Sequence, residues 1–113
     1  MEKDIFCKIA SGEIPADIVY EDDELVAFKD VKPQAPVHVL IVPRKHISKL
    51  SDMTTGDVEL LGRIMLAANK IAKLTGIAES GYRVIANNGP DAGQEVYHVH
   101  FHVLGGRRLG PLG

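Results

Sequence analysis

Between Tyr97 and Val103 apolar residues and histidines alternate without a break: Tyr97, Val99, Phe101 and Val103 hold one parity, His98, His100 and His102 the other. Alternation of this kind fits a β-strand, because successive strand side chains point to opposite faces and residues two apart share one. The apolar parity has to be covered by other parts of the chain. The histidines, at steps of ~6.7 Å, line the opposite face. A chain with this segment is expected to build a sheet with a packed layer behind it and a row of imidazoles in front.

The rest of the sequence supplies that sheet and that layer. Its 113 residues are expected to form one domain over 1–113, a size at which roughly two-thirds of the unfolded surface can be buried. Val37–Pro43 is aliphatic or β-branched except for His38, which predicts a central strand buried on both faces. Asp17–Tyr20 and Leu25–Phe28 flank the acidic run Glu21–Glu24 and predict a hairpin. That run lacks the glycine and spacing of a calcium loop, so it reads as a solvated turn. Gly81–Ala86 predicts a fourth strand, joined to the histidine segment by the loop Asn87–Gln94, whose residue types tolerate unusual backbone angles.

Two helices complete the pattern. Asp4 can cap a short one over Ile5–Ala10, with Gly12 as its stop. A long one is predicted over 55–75, capped by Thr54 or Thr55, with Asp57 and Glu59 in its first turn and Gly76 as its stop. Its expected core stripe is Val58, Leu61, Met65, Ala68 and Ala72, flanked by Leu60, Ile64, Ile71 and Leu74. Met53 and Met65 are expected to fill the core. The fold class is α+β: five mostly antiparallel strands with one long and one short helix.

Composition narrows function. A formal charge of −2 gives no clustered basic excess for nucleic acid, and Arg107 with Arg108 reads as a solvated tail. No run approaches the ~20 apolar residues of a membrane helix. The charged start Met1–Asp4 is not followed by the apolar region of a signal peptide. The single cysteine, Cys7, excludes an internal disulfide and reads as a half-buried thiol on the first helix. A cytoplasmic setting is the expectation that follows.

Two chemistries suit imidazoles in a row. A His-x-His pair could bind a metal, but the outer two histidines lie ~13 Å apart on a straight strand, so Glu95 or His38 would have to complete a zinc site. Alternatively a neutral imidazole attacks phosphorus without a metal or cofactor. That reaction needs a partner for the second ring nitrogen, donors for phosphate oxygens and backbone N–H groups from a tight loop. The flanking histidines, Asn87 and the loop ending at Gln94 supply these residue types, and they favour phosphorus over metal.

His98-Val99-His100-Phe101-His102-Val103-Leu104 resembles the histidine-triad pattern of the HIT family of nucleotidyl hydrolases and transferases. Asp4–Ile9, Glu13–Pro15, Pro33–His38, Pro43–Ile47, Gly93–Tyr97 and Gly105–Arg107 are similar to its Hint branch, the histidine-triad nucleotide-binding proteins. A third histidine, in place of glutamine, separates the chain from the uridylyltransferase branch. The resemblance implies a homodimer whose five-stranded antiparallel sheets join into one. It also implies a purine nucleoside phosphoramidase that cleaves adenosine 5′-phosphoramidates to AMP and amine through a nucleotidyl-histidine. His100 would be the nucleophile, oriented by His98 and His38, with His102 and Asn87 on the phosphate and Asp30 on the ribose. Ile5, Phe6, Ile9, Phe28 and Val31 would line the base pocket, and Glu95 and Val96 would lie at the nucleotide. Animal relatives carry serine where this chain has Glu95, whose side chain is expected to turn toward the departing amine or solvent. The tail ending at Gly110–Gly113 is short for a family in which the C-terminus tunes leaving-group choice. A nucleotide-binding interaction protein with little turnover is the alternative, and a metal-dependent hydrolase a third.

Overall fold

The computed structural model describes residues 4–113; the charged segment Met1–Lys3 lies outside them. Five antiparallel strands, β1 (Ile18–Glu21), β2 (Leu25–Lys29), β3 (Val37–Pro43), β4 (Tyr82–Ile85) and β5 (Phe101–Gly105), form one sheet in the order β1-β2-β3-β5-β4. The short helix α1 (Ile5–Ala10) and the long helix α2 (Val58–Leu74) pack on opposite faces. This is the α+β architecture expected.

The alternation of β3 and β5 decides which side chains meet which helix. Val39, Ile41, Phe101 and Val103 join Ile64, Ala68 and Ile71 of α2 in the main core. Burying each of the large aliphatic side chains contributes roughly 1.5–3 kcal/mol. The opposite parity of β2 and β3, Val26, Phe28, Leu40 and Val42, packs on Phe6 of α1 in a smaller cluster. His38 and His102 belong to this second face. β3 is central, and its residues from His38 onward are buried, as its composition predicts.

The histidine segment departs from expectation at its start. β5 begins at Phe101, so Tyr97–His100 lies outside the ladder, and Tyr97 is 40% exposed where a core position was expected. The ladder between β3 and β5 starts at the Ile41–Phe101 pair. Two residues on, Pro43 has no N–H to donate, so the pairing cannot be continued there. Val99 N–H instead donates to Ile47 O at 2.6 Å.

The long helix is entered through a 3-10 turn, Thr55–Asp57, with Thr54 as its cap. Thr54 N–H donates to Asp57 Oδ2 at 2.9 Å, and Thr54 Oγ1 accepts from Gly56 N–H at 3.2 Å. The buried stripe of α2 is Leu60, Ile64, Ala67, Ala68, Ile71 and Ala72. Val58, Met65 and Leu74, expected in the stripe or beside it, are exposed. Apolar residues run so far around this helix that two stripes fit the spacing, one residue or about 100° apart. Met53, by contrast, is partly buried against the main core.

Candidate active site

A cleft of about 910 Å³ opens on the sheet face opposite α2, between α1, the connection after β2 and the loop before β5. Its apolar end is built by Ile5, Phe6 and Ile9 of α1, Phe28 of β2 and Val31 beyond it. Phe6 sets its ring edge-on to Phe28, at 5.5 Å between centroids, and to His100, at 4.9 Å. Val31 is 92% exposed, an apolar wall facing solvent. Asp30, His38, Asn87, Glu95, Val96, His100 and His102 line the remainder. Of the expected site residues only His98 is missing from the lining.

His98 is fully buried to one side. Its Nε2–H donates to Pro43 O at 2.7 Å, and its Nδ1 lies 3.2 Å from Asp4 Oδ2 and 3.3 Å from Cys7 Sγ. The chain has not yet entered the ladder at this residue, and its ring turns in toward α1 and does not share the open face with His100 and His102. What His98 presents to the cleft histidines is its main-chain carbonyl, which accepts from His100 Nδ1–H at 2.8 Å. That bond places the proton of His100 on Nδ1 and leaves Nε2 as the basic nitrogen. Burial holds the pKa of His100 below the usual histidine value, although the bond to His98 O works in the other direction.

A second chain of bonds fixes the other two imidazoles. Gln34 N–H donates to His38 Nδ1 at 3.0 Å, which puts the His38 proton on Nε2, 2.9 Å from His102 Nδ1. His102 therefore accepts at Nδ1 and carries its own proton on Nε2. Burial, with repulsion from His100 and His38, pushes its pKa down to about 4, so the ring is neutral at pH 7. Asp30 Oδ2 lies 3.5 Å from His38 Nε2, and Asp30 Oδ1 accepts from Lys32 N–H at 2.8 Å. Burial also lowers the pKa of His38, partly offset by the charge of Asp30.

Several residues that hold the site escaped the sequence reading. Gln94 is buried; its Nε2 donates to Ser48 O at 3.0 Å and Val96 O at 3.1 Å, and its Oε1 accepts from Gly89 N–H at 2.9 Å. It braces the loop that Asn87 closes from the other side by donating from Nδ2 to Ala92 O at 2.8 Å. Arg107, read as tail, donates to Gln34 O at 2.9 Å. Next to it, a Cβ on Gly106 would come within 2.8 Å of Pro36 Cβ, so glycine permits this close approach. Asp4 does cap α1, accepting from Cys7 N–H at 2.7 Å, and it also reaches His46 Nδ1 at 2.9 Å.

Among the described residues two groups of side chains converge closely enough to hold a metal ion, with ligand atoms within 4.8 Å of one another: Asp4, Cys7, His46 and His98, and Asp30, His38 and His102. The first offers sulfur, nitrogen and oxygen donors of the kind zinc takes, but it lies beside the cleft lining. Neither group contains two histidines of the alternating segment. Of the two His-x-His pairs, His98 and His100 are turned to different environments, while His100 and His102 both line the cleft with ring centroids 5.1 Å apart.

Comparison with known proteins places this geometry. The HIT domain pattern matches residues 11–109. The purine nucleoside phosphoramidase of Escherichia coli K12 is 52% identical over 111 residues, covering 98% of this chain and 93% of that protein. The solved structure of a histidine triad protein from Clostridium difficile superimposes with a TM-score of 0.95 at 48% identity, covering 100% of both chains. A HIT family hydrolase from Legionella pneumophila Philadelphia 1 gives a TM-score of 0.92 at 51% identity, over 94% of this chain and 95% of that one. With the domain pattern matched over residues 11–109 and relatives this similar over nearly the whole chain, the chain belongs to the HIT domain family.

Proposed function

We propose that the protein is a purine nucleoside phosphoramidase that hydrolyses adenosine 5′-phosphoramidates to AMP and an amine. The observation that carries this reading is the 2.8 Å bond from His100 Nδ1–H to His98 O beside a cleft that His100 lines. It leaves a neutral imidazole with a lone pair on Nε2, and burial keeps it neutral. The likeness to the E. coli phosphoramidase supports the same reaction.

In the proposed sequence the purine occupies the apolar end against Phe6, Phe28, Ile5, Ile9 and Val31, and Asp30 takes the ribose hydroxyls. His100 Nε2 attacks the α-phosphorus. The P–N bond of the substrate breaks, its electron pair leaves on the amine nitrogen, and that nitrogen takes a proton from water. A water molecule then attacks the adenylylated His100; the P–Nε2 bond breaks, its electron pair returns to the ring, and AMP is released with loss of the proton of water. His102 Nε2–H and Asn87 serve the phosphoryl oxygens. His38 holds the His102 ring by their mutual bond, and His98 orients His100 through its carbonyl. Backbone N–H groups of Glu95 and Val96 supply further donors from the braced loop.

Two broader features go with this assignment. The protein acts as a homodimer, in keeping with an edge strand, β4, and exposed apolar residues on α2 beside it. The reaction belongs in the cytoplasm, consistent with a lone cysteine; among the described residues no helix is long and apolar enough to cross a membrane.

Incubation with an adenosine 5′-phosphoramidate tests the central claim. The unmodified protein is expected to release AMP and amine, and His100→Ala to lose at least ~10³-fold in kcat. If the unmodified protein binds the nucleotide and releases no AMP, the protein is a nucleotide-binding module and the hydrolase reading fails.

A further inference from the structure

Three carboxylates line the cleft, Asp17, Asp30 and Glu95, and two of them are engaged. Asp17 Oδ2 pairs with Lys29 Nζ at 3.4 Å, while Asp30 accepts from Lys32 N–H and lies against His38. Glu95 is exposed, and its carboxylate makes no hydrogen bond or ion pair with any described residue. The backbone on both sides of it is held by the buried amide of Gln94, which bonds Ser48 O, Val96 O and Gly89 N–H.

A phosphoramidate brings an anionic phosphoryl group into this same cleft. Two like charges in a partly desolvated cleft repel, and the repulsion is relieved when a cation enters with them. Among the described residues no side-chain cation pairs with Glu95: of the two lysines that line the cleft, Lys29 is taken by Asp17 and Lys32 makes no ion pair with Glu95, which leaves the substrate as the source of a partner. The purine and ribose carry none. The leaving amine can, provided it bears a second basic group besides the nitrogen bonded to phosphorus.

We infer that Glu95 is a specificity-determining residue, whose unpaired carboxylate favours leaving amines that carry a second, cationic group. Diamines joined to phosphorus through one nitrogen are the substrate class it selects. The inference rests on the phosphoramidase reading and adds to it the discrimination among amines. Neutral amines are accepted less well, and amines bearing a carboxylate are rejected, because the phosphoryl group and Glu95 then face a third negative charge.

Adenosine 5′-phosphoramidates of 1,5-diaminopentane, pentylamine and 5-aminopentanoate differ mainly in the charge at the far end of the leaving group. The unmodified protein is expected to rank them in that order by kcat/KM. Glu95→Gln should shrink the ratio of the diamine to the pentylamine substrate by ~10-fold, and Glu95→Lys should move the preference toward the aminopentanoate compound. Raising the ionic strength should narrow the ratio in the unmodified protein and leave it flat in Glu95→Gln. An unchanged ratio in Glu95→Gln overturns the inference. If the unmodified protein cleaves none of the three, the hydrolase reading falls alone: the intact compounds then serve as ligands, and the ratio of their dissociation constants, with and without Glu95→Gln, decides the charge selection.

Discussion

At the scale of single residues, the three histidines of one motif have three environments. His98 is enclosed and contributes its carbonyl, His100 is edge-packed on Phe6 with Nε2 left basic, and His102 is a neutral donor locked by His38. The pKa values of His100 and His102 are depressed, that of His102 to about 4. A lowered histidine pKa means that the neutral ring persists as pH falls through 6.5 and is lost only below that value. The acid limb of kcat/KM, which reports groups of the free enzyme, is therefore expected with its midpoint below pH 6.5. A midpoint at or above 6.5 in a pH–rate profile would show that burial does not govern the titration of the proposed nucleophile, His100. The parity of the motif was legible in the sequence, since Phe101 and Val103 do enter the core and His102 the opposite face. The inward turn of His98 was not, because it depends on Pro43, 55 residues earlier, ending the partner strand. Gln94 was equally hidden: a polar side chain in a loop signals burial only when the acceptors it will meet, such as Ser48 O, are known.

At the scale of elements, α1 does more than its six residues suggest. A helix this short has no independent stability, and it is fixed by what its ends and faces touch. Phe6 packs on the sheet, Asp4 reaches His46 and His98, and Arg44 Nη1 donates to Ala10 O at 2.6 Å. The helix thus ties the apolar end of the cleft to the turn that orients His100. For α2 the sequence revealed the cap and the length but turned the buried face by one residue, because exposed Met65 and Leu66 are as apolar as the residues that face the sheet. The cap itself makes a clean test. Thr54→Ala removes the acceptor for Gly56 N–H and is expected to cost about 1 kcal/mol in urea unfolding. Activity at 25 °C should be retained, since α2 lies on the sheet face away from the cleft. A loss below ~0.3 kcal/mol would mean that water serves that N–H equally well.

At the scale of the molecule, the sheet has two unequal edges. β1 leads into the acidic turn Glu21–Glu24, whose charges discourage pairing with another strand. β4 carries a single charge, Arg83, and adjoins no such acidic run, and an edge with its row of unpaired N–H and C=O groups is a place where chains join. The tyrosine hydroxyl of Tyr82 on β4 bonds Asn69 of α2, which sets the helix over this edge. Met65 and Leu66 precede Asn69 by four and three residues and so lie on the same side of the helix. Leu66 is 69% exposed. An edge strand with an uncovered leucine beside it fits a two-fold interface in which β4 meets its copy and the two sheets become continuous. The clefts lie on the sheet face opposite α2, so pairing through α2 and β4 leaves both open. Sedimentation of the unmodified protein is expected to give twice the 12.3 kDa of one chain. Leu66→Glu sets two carboxylates in the interface and should return the protein to single chains without unfolding it, as followed by circular dichroism. A single-chain mass for the unmodified protein at micromolar concentration would rule this interface out, and a dimer that survives Leu66→Glu would move it to another surface.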